Sequence, residues 1–325
     1  MTKTKGKKKK KNKLGFTKKQ LSILLNYCVA TRGEPKITYK SVHKNYTTYS
    51  RRKSTTDLIK KAYEKEVVTG PFLYVDTGIH VSFMDDVGNP MELLEKYEKD
   101  DNTTLAYALH GDWNFIRFER GASTLQYSDS IIPNSYPNSG YHIEDLTFDK
   151  KGQLPRDPYP HGWLDEHWGV YNCMRAPREV TYREVGKKIG LSWETVKKYY
   201  KDILGQCKIL NCFFPLGIDG YGHQLVTFET DYEIGVLDAL KKLNRTTFIY
   251  KANGIIILCL YLIPAPFNFN VSTNRFKELE ENGYIRDLHV CTPRRWIQWS
   301  NSYHLAWTWI WREAFSASFY SDISI

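Results

Sequence analysis

Short strings in the two halves of the chain resemble one another at a nearly constant spacing. Three pairs lie 143 residues apart: 37–42 (ITYKSV) with 180–185 (VTYREV), 103–107 (TTLAY) with 246–250 (TTFIY), and 140–141 with 283–284 (GY in both). A fourth pair, residues 59–63 (IKKAY) and 196–200 (VKKYY), lies only 137 residues apart, so the first copy has about six extra residues near 45–53. Because the strings recur in one order, we predict two tandem copies of one structural unit.

The first part of each copy has the pattern of a winged helix-turn-helix. An N-terminal helix is expected at residues 17–31 and again at about 164–175, followed by a short helix and a charged helix. In the second copy Gly190 permits a tight turn and Ser192 is a good N-cap for the next helix. Stretches rich in β-formers follow at residues 67–75 and 208–218, which is typical of a wing.

The second part of each copy is predicted to fold as β-α-β-β-α-β. In copy two the elements are expected at residues 224–229, 232–243, 246–251, 255–263, 272–282 and 285–290. In copy one they are expected at 79–84, 91–99, 104–109, 113–119 and 142–148, with the second helix degraded by Pro133 and Pro137. The predicted class is α+β, a tandem repeat of a winged helix-turn-helix plus a ferredoxin-like sheet domain, forming an intramolecular pseudo-dimer.

Six segments follow from these elements: a disordered Lys-rich tail (1–16), winged helix-turn-helix 1 (17–76), ferredoxin-like domain 1 (77–150), a linker with winged helix-turn-helix 2 (151–219), ferredoxin-like domain 2 (220–293) and an aromatic C-terminal helix or extension (294–325). In the last segment Tyr303, Trp307 and Trp311 have the spacing of one helix face. We expect this helix to seal the pseudo-dimer or a subunit interface. A partner surface and a membrane-surface helix are the alternatives.

Two strings resemble the Lrp/AsnC family of bacterial and archaeal transcription regulators. Residues 189–196 (IGLSWETV) look like the family's turn and the start of its recognition helix, and residues 106–115 (AYALHGDWNF) look like the hairpin of its sheet domain. The resemblance covers roughly residues 17–290 and implies an amino-acid effector site at Gly111 and Asp112. The chain departs from the family by carrying two units, and by Asn253-Gly254 where copy two would have the Gly-Asp turn.

The net charge of +10 is unevenly distributed. Residues 1–19 hold ten lysines and no acidic residue, which leaves 36 basic and 36 acidic residues in the rest of the chain. Within that neutral body, residues 20–67 and 171–208 have a basic excess. Two basic regions on a neutral body favour two docking faces for a polyanion, and the tail would add non-specific attraction to DNA or act only as a solubilising segment.

Contacts with double-stranded DNA are expected from the start and outer face of each recognition helix. Lysines there would meet phosphates, and residues at the helix start would reach base edges. The alternative for any one lysine pair is a solvated helix face. The candidates are Trp193, Glu194, Lys197, Lys198 and Lys201 in copy two, and Thr55, Thr56, Lys60, Lys61, Arg51, Arg52 and Lys53 in copy one.

No catalytic or metal-binding constellation stands out in the sequence. The six cysteines are scattered without a CxxC pair, and the longest apolar run, residues 254–263, is too short for a membrane span. His161 and His167 near Asp165 and Glu166 are better explained as a surface helix start than as metal ligands. We therefore expect a cytoplasmic, nucleoid-associated protein with no cofactor, no metal and no contact with a membrane.

Three functions remain open at this stage. The leading one is a DNA-binding transcription regulator without enzymatic activity, whose partners would be double-stranded DNA, a small-molecule effector and other copies of itself. The second is an enzyme, because proteins of this two-domain build resemble sirohaem decarboxylases; His110 and His223 would be its candidate side chains. The third is a protein-interaction scaffold, which salt-sensitive binding of duplex DNA would separate from the first.

Overall fold

The computed structural model describes residues 11–138, 140–263 and 268–298, and its class is α+β. The first half contains α1 (Lys18–Gly33), α2 (Tyr39–Tyr46), α3 (Arg52–Glu64), β1 (Val68–Tyr74), β2 (Ile79–Met84), α4 (Pro90–Tyr97), β3 (Thr103–Gly111), β4 (Phe115–Arg120) and β5 (Leu125–Ile131). The second half contains α5 (Asp165–Cys173), α6 (Tyr182–Ile189), α7 (Trp193–Leu204), β6 (Lys208–Phe213), β7 (Gly222–Glu229), α8 (Glu233–Leu240), β8 (Thr247–Ala252), β9 (Ile255–Leu262), α9 (Asn268–Glu281) and β10 (Arg286–Gln298).

Local capping signals define the ends of the helices in both halves. Thr17 accepts the N–H of Gln20 at the start of α1, and Thr181 does the same for Glu184 at the start of α6. Gly190 ends α6 in the left-handed region at φ 72°, and Ser192 then caps α7. The turn between α6 and α7 therefore has the form that the sequence predicts.

The strands that were expected to form two wings pair with each other instead. β1 and β6 form a two-stranded antiparallel sheet, with Val68 opposite Phe213 and Tyr74 opposite Lys208. Each strand thus satisfies its backbone groups against the other half of the chain. The prediction of two separate wings is wrong, because each strand pairs with a strand of the other half and not with a second strand of its own helical unit.

Two cations strengthen the contact between the helical units. Arg178 Nη1 donates to the carbonyls of Ile37 (2.8 Å) and Pro35 (3.3 Å). In return Lys36 Nζ donates to the carbonyls of Val180 (2.8 Å) and Pro177. Hydrogen bonds from charged donors are the stronger kind, so this exchange fixes the loops before α2 and α6 against each other.

A single eight-stranded sheet joins the two halves in the order β2-β4-β3-β10-β7-β9-β8-β5. The long β10 pairs with β7 along its first part and with β3 along its last part, so it bridges the halves. The two outer strands meet again: Thr124, just before β5, donates its N–H to the carbonyl of Ile79 in β2 (2.9 Å). The sheet therefore curves around a shared interior.

The two faces of the sheet bury different clusters. The inner face packs residues from both halves, among them Tyr107, Ile116, Phe118, Leu225 and Ile257. The outer face of the second half packs against α8 and α9, and the outer face of the first half packs Ala106, Ala108 and Phe115 against α4. The buried residues of the inner cluster thus all lie on strands of the sheet.

The fourth strand of the first half lies elsewhere than the sequence predicts. Residues 142–148 contain only a short 3₁₀ turn, whose Ile143, with the following Leu146 and Phe148, is buried in the core under α8 and α9. The strand is β5, which follows β4 after four residues and pairs with β8 of the other half. The match between residues 140–141 and 283–284 therefore does not mark equivalent positions.

Part of each predicted terminal segment belongs to the folded structure. Phe16, assigned to the disordered tail, is 1% exposed, and Asn12 donates to the carbonyl of Pro215. Residues 294–298, assigned to the C-terminal extension, belong to β10. Residues 1–10 and the aromatic residues from Trp299 onward lie outside the described residues.

None of the helices that the structure describes is long and apolar enough to cross a bilayer.

Candidate functional site

The predicted DNA-contact residues have unequal environments. Thr55 is fully buried and its hydroxyl lies 2.8 Å from Nδ1 of His43, so the expectation that it contacts DNA is wrong. Lys61 donates to the carbonyl of Gly15 (3.2 Å) and lies over the ring of Phe16, so it is used within the protein. Both residues face inward because α3 packs against α1 and the segment before it.

The other DNA-contact candidates lie at the surface. Thr56 is partly buried, and Trp193 is 41% exposed. In the described part of the chain no hydrogen bond or ion pair joins the α3 candidates to those on α7. The remaining exposed candidates are Arg51, Arg52, Lys53, Lys60, Glu194, Lys197, Lys198 and Lys201.

The predicted effector turn at Gly111 and Asp112 connects the two halves. The Asp112 carboxylate accepts the N–H of Val290 in β10 (2.7 Å), and the next residue, Trp113, donates to Thr227 (2.9 Å). Gly111 has φ 133°, and a Cβ there would lie 2.9 Å from the Cα of Cys291. Both predicted residues therefore have a clear packing role in joining β3 to β10.

The histidines suggested for an enzyme do not share a face of the sheet. Strand alternation places His110 on the outer face, with Ala106 and Ala108, and it is exposed. His223, two residues before the inner-facing Leu225, lies on the inner face. They cannot act on one ligand from the same side, and His223 lies at a cavity.

The His223 cavity has a volume of about 40 Å³ and lies on the inner face, where β10 passes between the halves. The His223 ring centroid is 5.0 Å from that of Tyr261 and 5.1 Å from that of Trp296. The Tyr107 hydroxyl lies 3.6 Å from Sγ of Cys259. The full lining is Tyr107, His223, Gln224, Leu225, Phe248, Tyr250, Cys259, Leu260, Tyr261, Pro293 and Trp296.

Burial keeps the groups around this cavity uncharged. It lowers the pKa of His223 to about 4, so the imidazole is neutral at pH 7. Burial also raises the pKa of Cys259 to about 12 and holds the pKa of Tyr107 and Tyr261 well above the ordinary value. The site is therefore aromatic, with neutral donors and acceptors.

One buried cation lies behind the cavity. Arg245 is 3% exposed, and its Nε donates to the backbone carbonyl of Tyr261. Desolvation lowers its pKa to about 10, which leaves the guanidinium charged at neutral pH. A positive charge behind the cavity favours an anionic ligand, and Glu144 offsets part of that charge.

The corresponding position in the first half is apolar. Ile79 lies two residues before Val81, as His223 lies two residues before Leu225, so Ile79 occupies the place of His223. It is buried in the inner core. The pairings that define this match are Val81–Phe118 and Phe118–Leu105 in the first half, and Leu225–Cys259 and Cys259–Phe248 in the second. His80, which lies 143 residues before His223, is on the outer face between Ile79 and Val81, so only the second half places an imidazole on the inner face here.

Sequence reasoning found His223 but missed the residues around it. Trp296 was assigned to a separate extension, and nothing in the sequence singles out Tyr107, Tyr261 or Arg245 as site residues. The alternation of β7 and β9 could place His223 and Tyr261 on inner faces, but nothing local indicates that β10 brings Trp296 beside them.

Among the remaining predicted candidates, His167 accepts the N–H of Leu164 and so caps α5. Cys207 is partly buried and Cys212 fully buried, each in an apolar cluster. Within the described ranges, no three His, Cys, Asp or Glu side chains converge as metal ligands.

No protein-family model and no curated protein matches the chain. Two solved structures are similar to it. One is the siroheme decarboxylase NirDL, at 8% identity and a TM-score of 0.49, covering 85% of this chain and 91% of that one. The other is the same enzyme in co-complex with an iron-uroporphyrin III analogue, at 7% identity and a TM-score of 0.43, covering 79% and 85%.

The predicted regulator is corrected by these findings. Both similar structures are of an enzyme, which contradicts the resemblance to a transcription regulator, the DNA-binding function and the expected lack of enzymatic activity. The shared β1–β6 sheet is consistent with that correction, because it removes the wings. At this level of identity no residue role passes from that enzyme to this chain.

Proposed function

We propose that the chain is a fused pair of copies of one unit, each a three-helix part with one strand after it, followed by a ferredoxin-like sheet part. Register supports this: a bulge at Pro293–Arg295 faces Leu109 and Ala108, and a bulge at Leu125–Tyr127 faces Ala252 and Lys251. The facing residues differ by 143 in both cases, which is the spacing of the sequence repeat. In this arrangement each copy gives its fourth strand to the other copy's second strand.

We further propose that the chain is an enzyme acting on a small carboxylated molecule at the His223 cavity. The observation that carries the proposal is a neutral imidazole among aromatic rings in one half, where the other half has Ile79. A polar group in an otherwise apolar interior costs stability, and such costs are typical of functional sites. The charge of Arg245 behind Tyr261 favours the carboxylate end of the ligand.

The size of the cavity limits what enters it. About 40 Å³ accommodates a carboxymethyl-sized group and excludes a tetrapyrrole macrocycle. A tetrapyrrole substrate would therefore insert one acidic side chain and leave its ring outside. Smaller aromatic acids would also fit, because they would place the same carboxymethyl group in the cavity.

Decarboxylation is the reaction that suits this environment. A carboxylate beside His223 raises the imidazole pKa from about 4, so that His223 takes up a proton on binding. Among aromatic rings a carboxylate loses part of its hydration, which favours breaking its C–C bond; this releases CO₂ and leaves the electron pair on carbon. The His223 imidazolium then gives its proton to that carbon and returns to the neutral form.

The test incubates the full chain anaerobically with sirohaem, and separately with simpler aryl acetates, and follows CO₂ loss by mass spectrometry. The wild-type protein is expected to decarboxylate at least one of them, and His223→Leu to be slower by about 10²–10⁴-fold. His110→Leu, on the outer face, is the matched control and should keep the wild-type rate. Circular dichroism verifies the fold of each variant. If the wild type releases no CO₂ from any of these compounds, or if both variants behave alike, the proposal is wrong.

A further inference from the structure

A second and larger cleft lies outside the inner face of the sheet. Its volume is about 430 Å³, and it is bounded by the end of α1, by β5 with the loop after it, and by α8. It shares no lining residue with the His223 cavity. The lining residues are Val29, Arg32, Tyr127, Asp129, Ile131, Ile132, Pro133, Asn134, Leu237 and Lys241. Its size is within the range of small-molecule sites.

Two cations line this cleft from different helices. Arg32, near the end of α1, keeps 29% of its side chain exposed, and Lys241, just after α8, keeps 39%. Lys241 also contacts Asp238 at 3.0 Å, but both of these groups are exposed, so this pair holds the ammonium only weakly. Lys241 is therefore available to a ligand in the cleft.

The only acidic residue in the lining is already neutralised. Oδ1 of Asp129 lies 2.6 Å from Nη2 of Arg32 and accepts the N–H of Ser130 at 2.7 Å. Its Oδ2 accepts the hydroxyl of Tyr127 at 3.3 Å. Nη1 of Arg32 makes no hydrogen bond with any other residue that the structure describes. The cleft thus carries a net positive charge.

The helix carbonyls beside the cleft do not oppose an anion there. The carbonyl of Ala30 accepts the N–H of Glu34, and the carbonyl of Lys241 accepts the N–H of Asn134. Because these acceptors are engaged, the negative ends of α1 and α8 are partly compensated. The helix ends therefore offset only part of the lining's net charge of +1, which Arg32 and Lys241 give against Asp129.

The rest of the lining is apolar. Val29 on α1 is 51% exposed, although it follows a run of buried residues, and Leu237 on α8 packs at the edge of the core. Ile132 and Pro133 supply the remaining wall. Apolar walls with a few convergent polar groups are the usual composition of a ligand site.

We propose that this cleft binds an amphipathic carboxylate, a single carboxylate joined to an apolar body. The carboxylate would bind between Lys241 and the Nη1 edge of Arg32, and the apolar body would cover Val29 and Leu237. Such a ligand bridges α1 of the first helical unit and α8 of the second sheet part. It would hold the two parts together as an accessory ligand, independently of the reaction proposed for the His223 cavity.

Calorimetry with the full chain tests the charge requirement. The probes are indole-3-acetate, 4-phenylbutyrate and decanoate, each beside its neutral amide. At least one carboxylate should bind about tenfold more tightly than its amide, because a charge-assisted contact to Lys241 is lost in the amide. Lys241→Gln should remove that difference, whereas the neighbouring exposed Lys242→Gln should keep it. If every amide binds as well as its acid, or if no probe binds, the proposal is overturned.

A steric variant tests the location. Val29→Trp fills the cleft from an exposed helix position and should weaken binding about tenfold or more. Val271→Trp makes the same change at an exposed position on α9, away from the cleft, and should leave binding unchanged. Equal binding by the two variants would contradict the location. His223→Leu should bind the probes like the wild type, so failure of the proposed enzyme activity and failure of this site can be told apart.

Discussion

Glu233 and Lys251 form an ion pair that the fold removes almost completely from water. Glu233 lies in the first turn of α8 and Lys251 on β8, with side chains 4% and 11% exposed. Nζ of Lys251 lies 2.7 Å from Oε1 and 2.9 Å from Oε2 of Glu233, and Oε2 also accepts the N–H of Leu154 at 2.6 Å. The pair therefore connects the helix, the sheet and the segment that leads into α5.

We predict that breaking the pair costs more than removing it. Lys251→Met leaves a buried carboxylate, which costs about 3 kcal/mol, at the lower end of the range because the α8 N-terminus and the Leu154 N–H still stabilise the charge. Glu233→Gln leaves a buried ammonium whose long stem can reach water, and costs about 2 kcal/mol. The double variant keeps an acceptor for Leu154 and has no buried charge, so it should lose only about 1 kcal/mol.

Urea unfolding followed by both circular dichroism and tryptophan fluorescence measures these free energies, provided that the two transitions coincide. Lys277→Met, at an exposed position on α9, is the control and should change stability by less than about 0.5 kcal/mol. The prediction fails if the double variant loses the sum of the two single losses, since the side chains would then contribute independently.

Two further predictions concern the inner face and the junction of the halves. The folded protein holds the His223 pKa near 4, whereas the unfolded chain titrates near 6.5, so stability present above pH 6.5 should be lost as the pH falls toward 4. His223→Gln should reduce the loss between pH 7.5 and 4.5 by about 2 kcal/mol in the free energy of unfolding, measured with urea. An unchanged pH profile would refute this prediction. Gly111→Ala should destabilise the fold by about 2 kcal/mol or more, because its Cβ would press on β10 at a positive φ. The control Gly88→Ala, with open space around it, should have little effect. Equal thermal midpoints for the two variants would contradict this.

Local signals in the sequence were sufficient for most elements of the second half. The β-α-β-β-α-β order after residue 220 is present as β7, α8, β8, β9, α9 and β10. The turn at Gly190 and the cap at Ser192 also have the predicted form. These features depend on hydrophobic period, turn residues and capping, which act over a few residues and are therefore readable from sequence.

Errors arose wherever distant segments compete for one partner. Nothing within residues 67–75 shows that β1 pairs with β6, and nothing within residues 113–131 shows that β5 crosses to β8. An extended segment with a free edge satisfies its backbone groups with any suitable neighbour. Which neighbour it meets is decided by the packing of the whole chain.

The sequence and the tertiary structure each determine a different part of what the repeat means for this chain. The sequence by itself determined that the chain has two similar halves, because strings at a spacing of 143 residues can be read without any structure. Only the tertiary structure decided how the halves differ around their shared interior. The exchange of strands through β10 brings Trp296 beside His223, and the matching position in the other half holds Ile79. A pKa near 4 at His223 is a property of that burial, since an imidazole in the unfolded chain has none of these neighbours.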